Sequence, residues 1–169
     1  MIICGTGHRP GKLWGYNLNH PMYQRVKAAL KNYFKEQYKK TNDLTIISGM
    51  ALGFDTIFAQ VALELKAEGV PIKLVCAIPC LNHTSKWFKE SVVEWQRIVD
   101  LADEVVYVTN AEYTNACMQL RNEYMVNNSD VVIALFDGTP GGTANCVKYA
   151  EKIGKKIERM NPKDKRWNQ

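Results

Sequence analysis

The sequence predicts an α/β fold, a three-layer Rossmann-like parallel sheet with helices on both faces. Two observations carry that prediction. Short β-branched runs alternate with helix-length amphipathic segments from one end of the chain to the other, the pattern of a parallel sheet covered by crossover helices. Three glycine turns each follow one of those runs, and in an open parallel sheet such turns gather on the edge where ligands settle. Right-handed crossovers then place the first strand centrally.

The elements follow in order. Met1 to Cys4 reads as the first strand, and a long loop through Pro10-Gly11 runs to Asn19 or His20. Tyr23, Val26, Leu30, Tyr33, Phe34 and Tyr38 then recur at helical spacing, while Lys27, Lys31, Lys35 and Lys39 form an i,i+4 stripe expected to be a solvated helix face rather than a nucleic-acid contact line. Leu44 to Ser48 is the second strand. The second helix starts near Asp55, carries Ile57, Phe58, Val61, Ala62 and Leu65 on one side, and stops at Gly69 before Val70-Pro71. Ile72 to Ile78 and Glu104 to Val108 are strands flanking a helix over Ser85 to Leu101. Asn115 to Asn128 is the fourth helix, Val131 to Phe136 the fifth strand, and Thr143 to Ile153, closed by Gly154, the fifth helix. Lys156 to Met160 is a weaker sixth strand. Residues 1–160 read as one domain, with Asn161 to Gln169 a polar tail apart from Trp167.

A chain of 169 residues with 46% hydrophobic composition suits a single domain with a substantial core. The net charge of +5 favours anionic partners without requiring nucleic acid, since much of the excess is local to Lys152, Lys155, Lys156, Lys163, Lys165 and Arg166. Five cysteines, Cys4, Cys76, Cys80, Cys117 and Cys146, lie mostly in apolar stretches and predict free thiols in a cytoplasmic protein. No export segment or membrane-length apolar run is visible, so no membrane partner is expected.

The chemistry concentrates in the glycine turns. Gly141-Gly142-Thr143, between a strand and a helix, places bare backbone N–H groups at the positive end of a helix dipole, where phosphate is the natural guest. Thr143 serves there as N-cap, as hydroxyl donor to phosphate, or as both, and Asn145 lies in the first turn of the same helix. Asp137-Gly138-Thr139-Pro140 leads into this turn. Gly5-Thr6-Gly7-His8-Arg9-Pro10 adds an imidazole and a guanidinium, but it lacks the third glycine and immediate helix of a dinucleotide fingerprint. Arg9 contacts the ligand or pairs with a carboxylate, and His8 contacts the ligand or makes a local hydrogen bond. In Ser48-Gly49-Met50-Ala51-Leu52-Gly53-Phe54-Asp55, Ser48 and Gly49 sit at the strand end beside Ala51 and Gly53, and Asp55 caps the next helix or grips a ribose hydroxyl. Arg121 and Asn122 are placed to lean over the pocket edge from their helix. Cys76, Cys80 and His83 do not form a convincing metal site, because an extended segment separates the two cysteines by roughly 13 Å.

Together these segments resemble the SLOG superfamily, the Rossmann-like group that includes YpsA-like proteins, DprA and the Lonely Guy phosphoribohydrolases, with the YpsA-like branch most similar. The resemblance rests on residues 5–10, 48–55, Met118-Gln119-Leu120-Arg121-Asn122-Glu123-Tyr124-Met125-Val126, and 141–143, and it spans nearly the whole chain. It implies binding of a nucleotide-derived small molecule, ADP-ribose-type compounds among them, at the glycine-lined edge, with no cofactor required. Arg121 fits the arginine of the Lonely Guy Met-x-x-Arg-Lys segment, but Asn122 replaces its lysine and Cys146 stands where its glutamate would be. The expectation is therefore sensing or sequestration of the ligand. The alternatives are a nucleotide-cleaving hydrolase using Asp55, Glu123 or Asp137, and a DprA-like single-stranded nucleic-acid binder in which Trp14, Tyr16, Tyr113 and Trp167 stack on bases. A homo-oligomer is compatible with each.

Overall fold

The computed structural model describes residues 1–164. The chain runs β1 (Ile2–Gly7), α1 (Pro21–Thr41), β2 (Thr45–Ser48), α2 (Phe54–Ala67), β3 (Lys73–Ile78), α3 (Lys89–Leu101), β4 (Glu104–Tyr107), α4 (Cys117–Asn127), β5 (Val131–Leu135), α5 (Gly142–Lys152) and β6 (Lys156–Met160). All six strands pair in parallel, in the order β4-β3-β2-β1-β5-β6. The predicted fold class, strand count and central first strand are those observed. No helix among the described residues is long and apolar enough to cross a membrane.

Local chemistry sets the helix ends. Pro21 opens α1 behind His20, whose Nδ1 accepts from the Met22 amide at 3.2 Å, and Asn42 ends it at φ 52°. The third helix is shorter than its periodicity predicts. Residues 82–87 close two tight turns, Ser85 N–H to Asn82 O and Trp87 N–H to Thr84 O, before α3 begins at Lys89.

Two hydrophobic layers sandwich the sheet. Tyr23, Leu30 and Phe34 of α1, Phe54, Phe58 and Leu65 of α2 and Ile98 of α3 cover one face, while Met125 and Val126 of α4 and Cys146 and Ala150 of α5 cover the other. The connections after β1, β2 and β3 thus pass over one face, and those after β4 and β5 over the opposite one. The change of face falls between neighbours β1 and β5, the topological switch point.

The lysine stripe of α1 is not simply solvated. Lys27 and Lys31 pair with Glu64, and Lys31 and Lys35 pair with Glu68 at 2.9 Å each, so the stripe fastens α1 to α2. The sequence showed the spacing of the lysines but not the acidic helix opposite. The basic cluster near the C-terminus is also divided. Lys155 donates to Ser129 O and Lys156 pairs with Glu158, whereas Lys163 pairs with Asp137 at 2.8 Å. Pro162 is buried, so the first residues of the expected tail are docked on the domain; Lys165, Arg166 and Trp167 lie outside the described residues.

The closest packing is between α2 and β1. A Cβ built at Gly5 would sit 2.7 Å from the Phe58 ring, and one at Gly7 would sit 2.4 Å from Phe54 Cβ. Phe58 in turn meets Phe34 edge-on at 5.2 Å between centroids. Because Phe54 Cβ is fixed to the helix backbone, it yields only if α2 moves. Gly7→Ala is therefore expected to destabilise the protein by about 1–3 kcal/mol, the usual cost of overpacking a core. Urea unfolding should show this as a lower midpoint with an unchanged slope.

Candidate functional site

The three glycine turns converge at the carboxyl ends of β1 and β5 around a cleft of about 340 Å³. Thr6, Gly7, His8 and Arg9 form one wall, Ala51 and Asp55 a second, Met118, Arg121 and Asn122 of α4 a third, and Gly141, Gly142 and Thr143 the fourth, with Lys12 at the rim.

The α5 end of the cleft is the most open to an anion. Gly141 is the N-cap at φ 147°, no side chain caps the helix, and a Cβ at Gly142 would meet nothing within 4 Å. Thr143 is in the first turn and is not the cap. The exposed amides of this turn carry the positive end of the helix dipole. Helix α2 begins differently: Gly53, at φ 85°, is its N-cap, and the Phe54 amide is already spent on the His8 carbonyl at 3.2 Å. A Cβ at Gly53 would lie 2.6 Å from that same carbonyl.

Arg121 is the centre of the arrangement. Its side chain is buried; Nη1 donates to the Gly49 carbonyl and lies 3.8 Å from Asp55 Oδ2, and Nε donates to Asn122 Oδ1 at 3.0 Å. Asn122 Nδ2 then reaches the Gly142 carbonyl at 3.3 Å. Gly49 is required for this reach, since a Cβ there would lie 2.4 Å from Nη1. Asp55 accepts from the Ala51 amide at 3.3 Å. Burial pushes its pKa up to about 6, although Arg121, the Ala51 amide and Arg9 pull the other way.

His8 is buried, lines the cleft and bonds a residue distant in the chain, not a local one. With the tautomer assigned from this contact, Nε2 donates to Asp137 Oδ1 at 2.8 Å. Lys163, Thr139 and His8 together hold the Asp137 carboxyl well below the usual carboxylate range. Arg9 is exposed and has no ion pair among the described residues, leaving its guanidinium free for the cleft.

Several residues singled out in the sequence stand behind the cleft instead of lining it. Gly5 lies under Phe58, and Ser48 is buried, donating to Asp55 O at 2.8 Å and accepting from the Met50 amide at 3.2 Å. Gly49, Gly53 and Asp137 act through Arg121, α2 and His8. Asn145 is exposed and lies outside the cleft, in a separate surface depression with Gln119, Lys148 and Tyr149. Two lining residues lacked a sequence signal. Lys12 ends a 3-10 turn opened by Pro10 and donates to Thr139 Oγ1 at 3.0 Å and Pro140 O at 2.9 Å. Met118, an apolar residue of α4, is the other.

The position of the Lonely Guy glutamate is a core position here. Cys146 is fully buried against Cys4 and Val132, and burial pushes its thiol up to about 11. Glu123 is engaged by Gln119 at 3.1 Å and does not line the cleft. Asp55 is thus the one carboxylate among the described lining residues.

A profile of the YspA SLOG family matches residues 3–164. The chain belongs to the YspA SLOG family. This SLOG protein is 30% identical over 158 residues to the SPbeta prophage-derived protein YoqJ of Bacillus subtilis strain 168, covering 86% of this chain and 92% of YoqJ. It is 28% identical over 155 residues to a UPF0398 protein of Bacillus thuringiensis strain Al Hakam, covering 90% of this chain and 84% of the relative. Two solved structures share the SLOG fold. DNA processing protein A of Helicobacter pylori, described for its single-stranded DNA binding mode, aligns with TM-score 0.64 at 20% identity over 94% of this chain. DprA of Streptococcus pneumoniae aligns with TM-score 0.64 at 15% identity over 93%. The chain spans 64% and 49% of those two proteins' lengths.

The buried carboxyl gives the SLOG cleft a stability signature. Asp55 ionises near pH 6 in the folded state against 3.8 for an ordinary aspartate, so between those values the folded protein holds the extra proton. Stability from this group therefore falls as pH rises from 4 to 7. Relative to Asp55→Asn, the wild type should lose on the order of 2 kcal/mol across that interval in urea unfolding. A difference independent of pH would show that Asp55 titrates normally.

Proposed function

We propose that the cleft holds the phosphate of a nucleotide-derived small molecule, with ADP-ribose-type compounds as leading examples, and that the protein senses or sequesters it. One observation carries the reading: the N-terminus of α5, with no side-chain cap among the described residues, opens into the same cleft as the Arg9 guanidinium, which has no ion pair among them, and the Lys12 ammonium. Backbone amides and a guanidinium fork together suit phosphate oxygens. Membership in the SLOG family supports a nucleotide-type ligand. Cys146 in place of a catalytic glutamate favours holding over cleaving.

Calorimetric titration with inorganic pyrophosphate, ribose 5-phosphate and ADP-ribose tests this. Arg9→Ala should weaken binding at least tenfold, as expected for a lost charge-assisted hydrogen bond of about 1.5–3 kcal/mol. Gly142→Val should abolish it by filling the space in front of α5. Absence of binding by all three compounds would overturn the proposal.

Asp55 also predicts a pH dependence. Its charge opposes an anion above pH 6, so ADP-ribose affinity should increase as pH falls from 7.5 to 5, and Asp55→Asn should flatten the slope. Tighter binding at the higher pH would instead assign Asp55 to a ribose hydroxyl.

Two further readings each rest on one observation. Asp55, the cleft's carboxylate with a pKa near neutrality, would serve a hydrolase, and chromatography of nucleotides incubated with the protein would then show product. The fold shared with DprA supports a single-stranded nucleic-acid partner, which would shift an oligonucleotide at low salt and lose it steeply as salt rises.

A further inference from the structure

A second cavity, of about 680 Å³, adjoins the anion cleft and shares Arg9 and Met118 with it. Its lining is different in kind. Tyr16, His83, Trp87 and Tyr113 contribute four flat rings over an apolar floor that includes Leu52. Tyr16 and Tyr113 are 55% and 57% exposed, an unusual state for two rings facing one cavity. Both are held in place: Phe88 props Tyr16 edge-on at 5.3 Å, and Asn82 Oδ1 accepts from the Tyr113 amide at 2.7 Å.

His83 supplies an independent sign of a missing partner. It is 8% exposed, and among the described residues neither ring nitrogen has a hydrogen-bond partner. Trp87 and Trp95 pack edge-on against it at 4.9 and 6.4 Å. Burial, then Arg121 and Arg9, push its pKa down to about 3, so the ring is neutral and offers one N–H donor and one lone pair. Buried polar atoms in folded proteins are nearly always paired.

We propose that this compartment takes a nucleobase, the flat heteroaromatic end of the ligand whose phosphate occupies the adjoining cleft, with Arg9 and Met118 at the junction. The proposal rests on the phosphate reading of the cleft and adds to it the part of the ligand that confers specificity. Aromatic rings bind any base by stacking, and Tyr16, Trp87 and Tyr113 line the compartment with such rings.

The two sites can be probed separately. Adenosine, guanosine, cytidine and uridine carry no phosphate, and at least one should quench tryptophan fluorescence saturably. Tyr113→Ala should weaken that binding at least fivefold, and Tyr113→Phe should restore it. The 5′-diphosphate of the same nucleoside should bind at least tenfold tighter than either the nucleoside or inorganic pyrophosphate. Pyrophosphate binding without any nucleoside effect, and with 5′-diphosphates no tighter than pyrophosphate, would overturn the base compartment and leave the cleft reading intact. Nucleoside binding without pyrophosphate binding would support the compartment and remove the phosphate reading. A thymidine ten-mer bound far more tightly than any mononucleotide would overturn the assignment to a small ligand in favour of a single strand.

Discussion

The site depends on one buried guanidinium. Arg121 leaves α4 on one side of the sheet and reaches the Gly49 carbonyl at the end of β2, while Asp55 opposes it from the first turn of α2 and Asn122 carries the link on to Gly142. Elements from both helical layers are thereby fastened across the switch point. A charge removed from water is costly unless its partners are well placed, and here a carbonyl, a carboxamide and a carboxyl surround it. The raised pKa of Asp55 shows that the compensation is incomplete for the acid.

The glycines do two kinds of work. Gly5 and Gly7 let Phe58 and Phe54 approach β1, and Gly49 admits Arg121, so these three are answers to packing. Gly142 faces open space and leaves room for something outside the chain. Similar turns in the sequence therefore divide, in the folded molecule, into those that hold α2 and Arg121 in place and one whose Gly142 packs against no described side chain. The same division applies to polar residues: Ser48 and Asp137 secure the backbone and His8, while Arg9 has no ion pair among the described residues.

The likeness to Lonely Guy enzymes stops at a definite atom. A carboxylate at position 146 would have to emerge from the layer formed by Cys4, Val132 and Ala150, whereas a thiol pushed up to about 11 packs there as a small apolar group. What remains is a positively lined cleft beside a ring-lined compartment, an arrangement suited to gripping both ends of a nucleotide. The aromatics divide similarly, since Trp14 packs on Tyr23 at 5.1 Å, while Tyr16 and Tyr113 face the compartment.

The sequence by itself determined the strands, the helices, their parallel arrangement and the convergence of three glycine turns, because these follow from local periodicity and the handedness of crossovers. It also marked Arg121 and Asn122 as neighbours of the cleft. Only the tertiary structure decided which turn keeps its amides free, that Asn145 faces away, that Lys12 and Met118 join the walls, and that the lysine stripe of α1 meets Glu64 and Glu68. Each of those outcomes depends on a partner distant in the chain, and a pattern read along one segment contains no information about what packs against it.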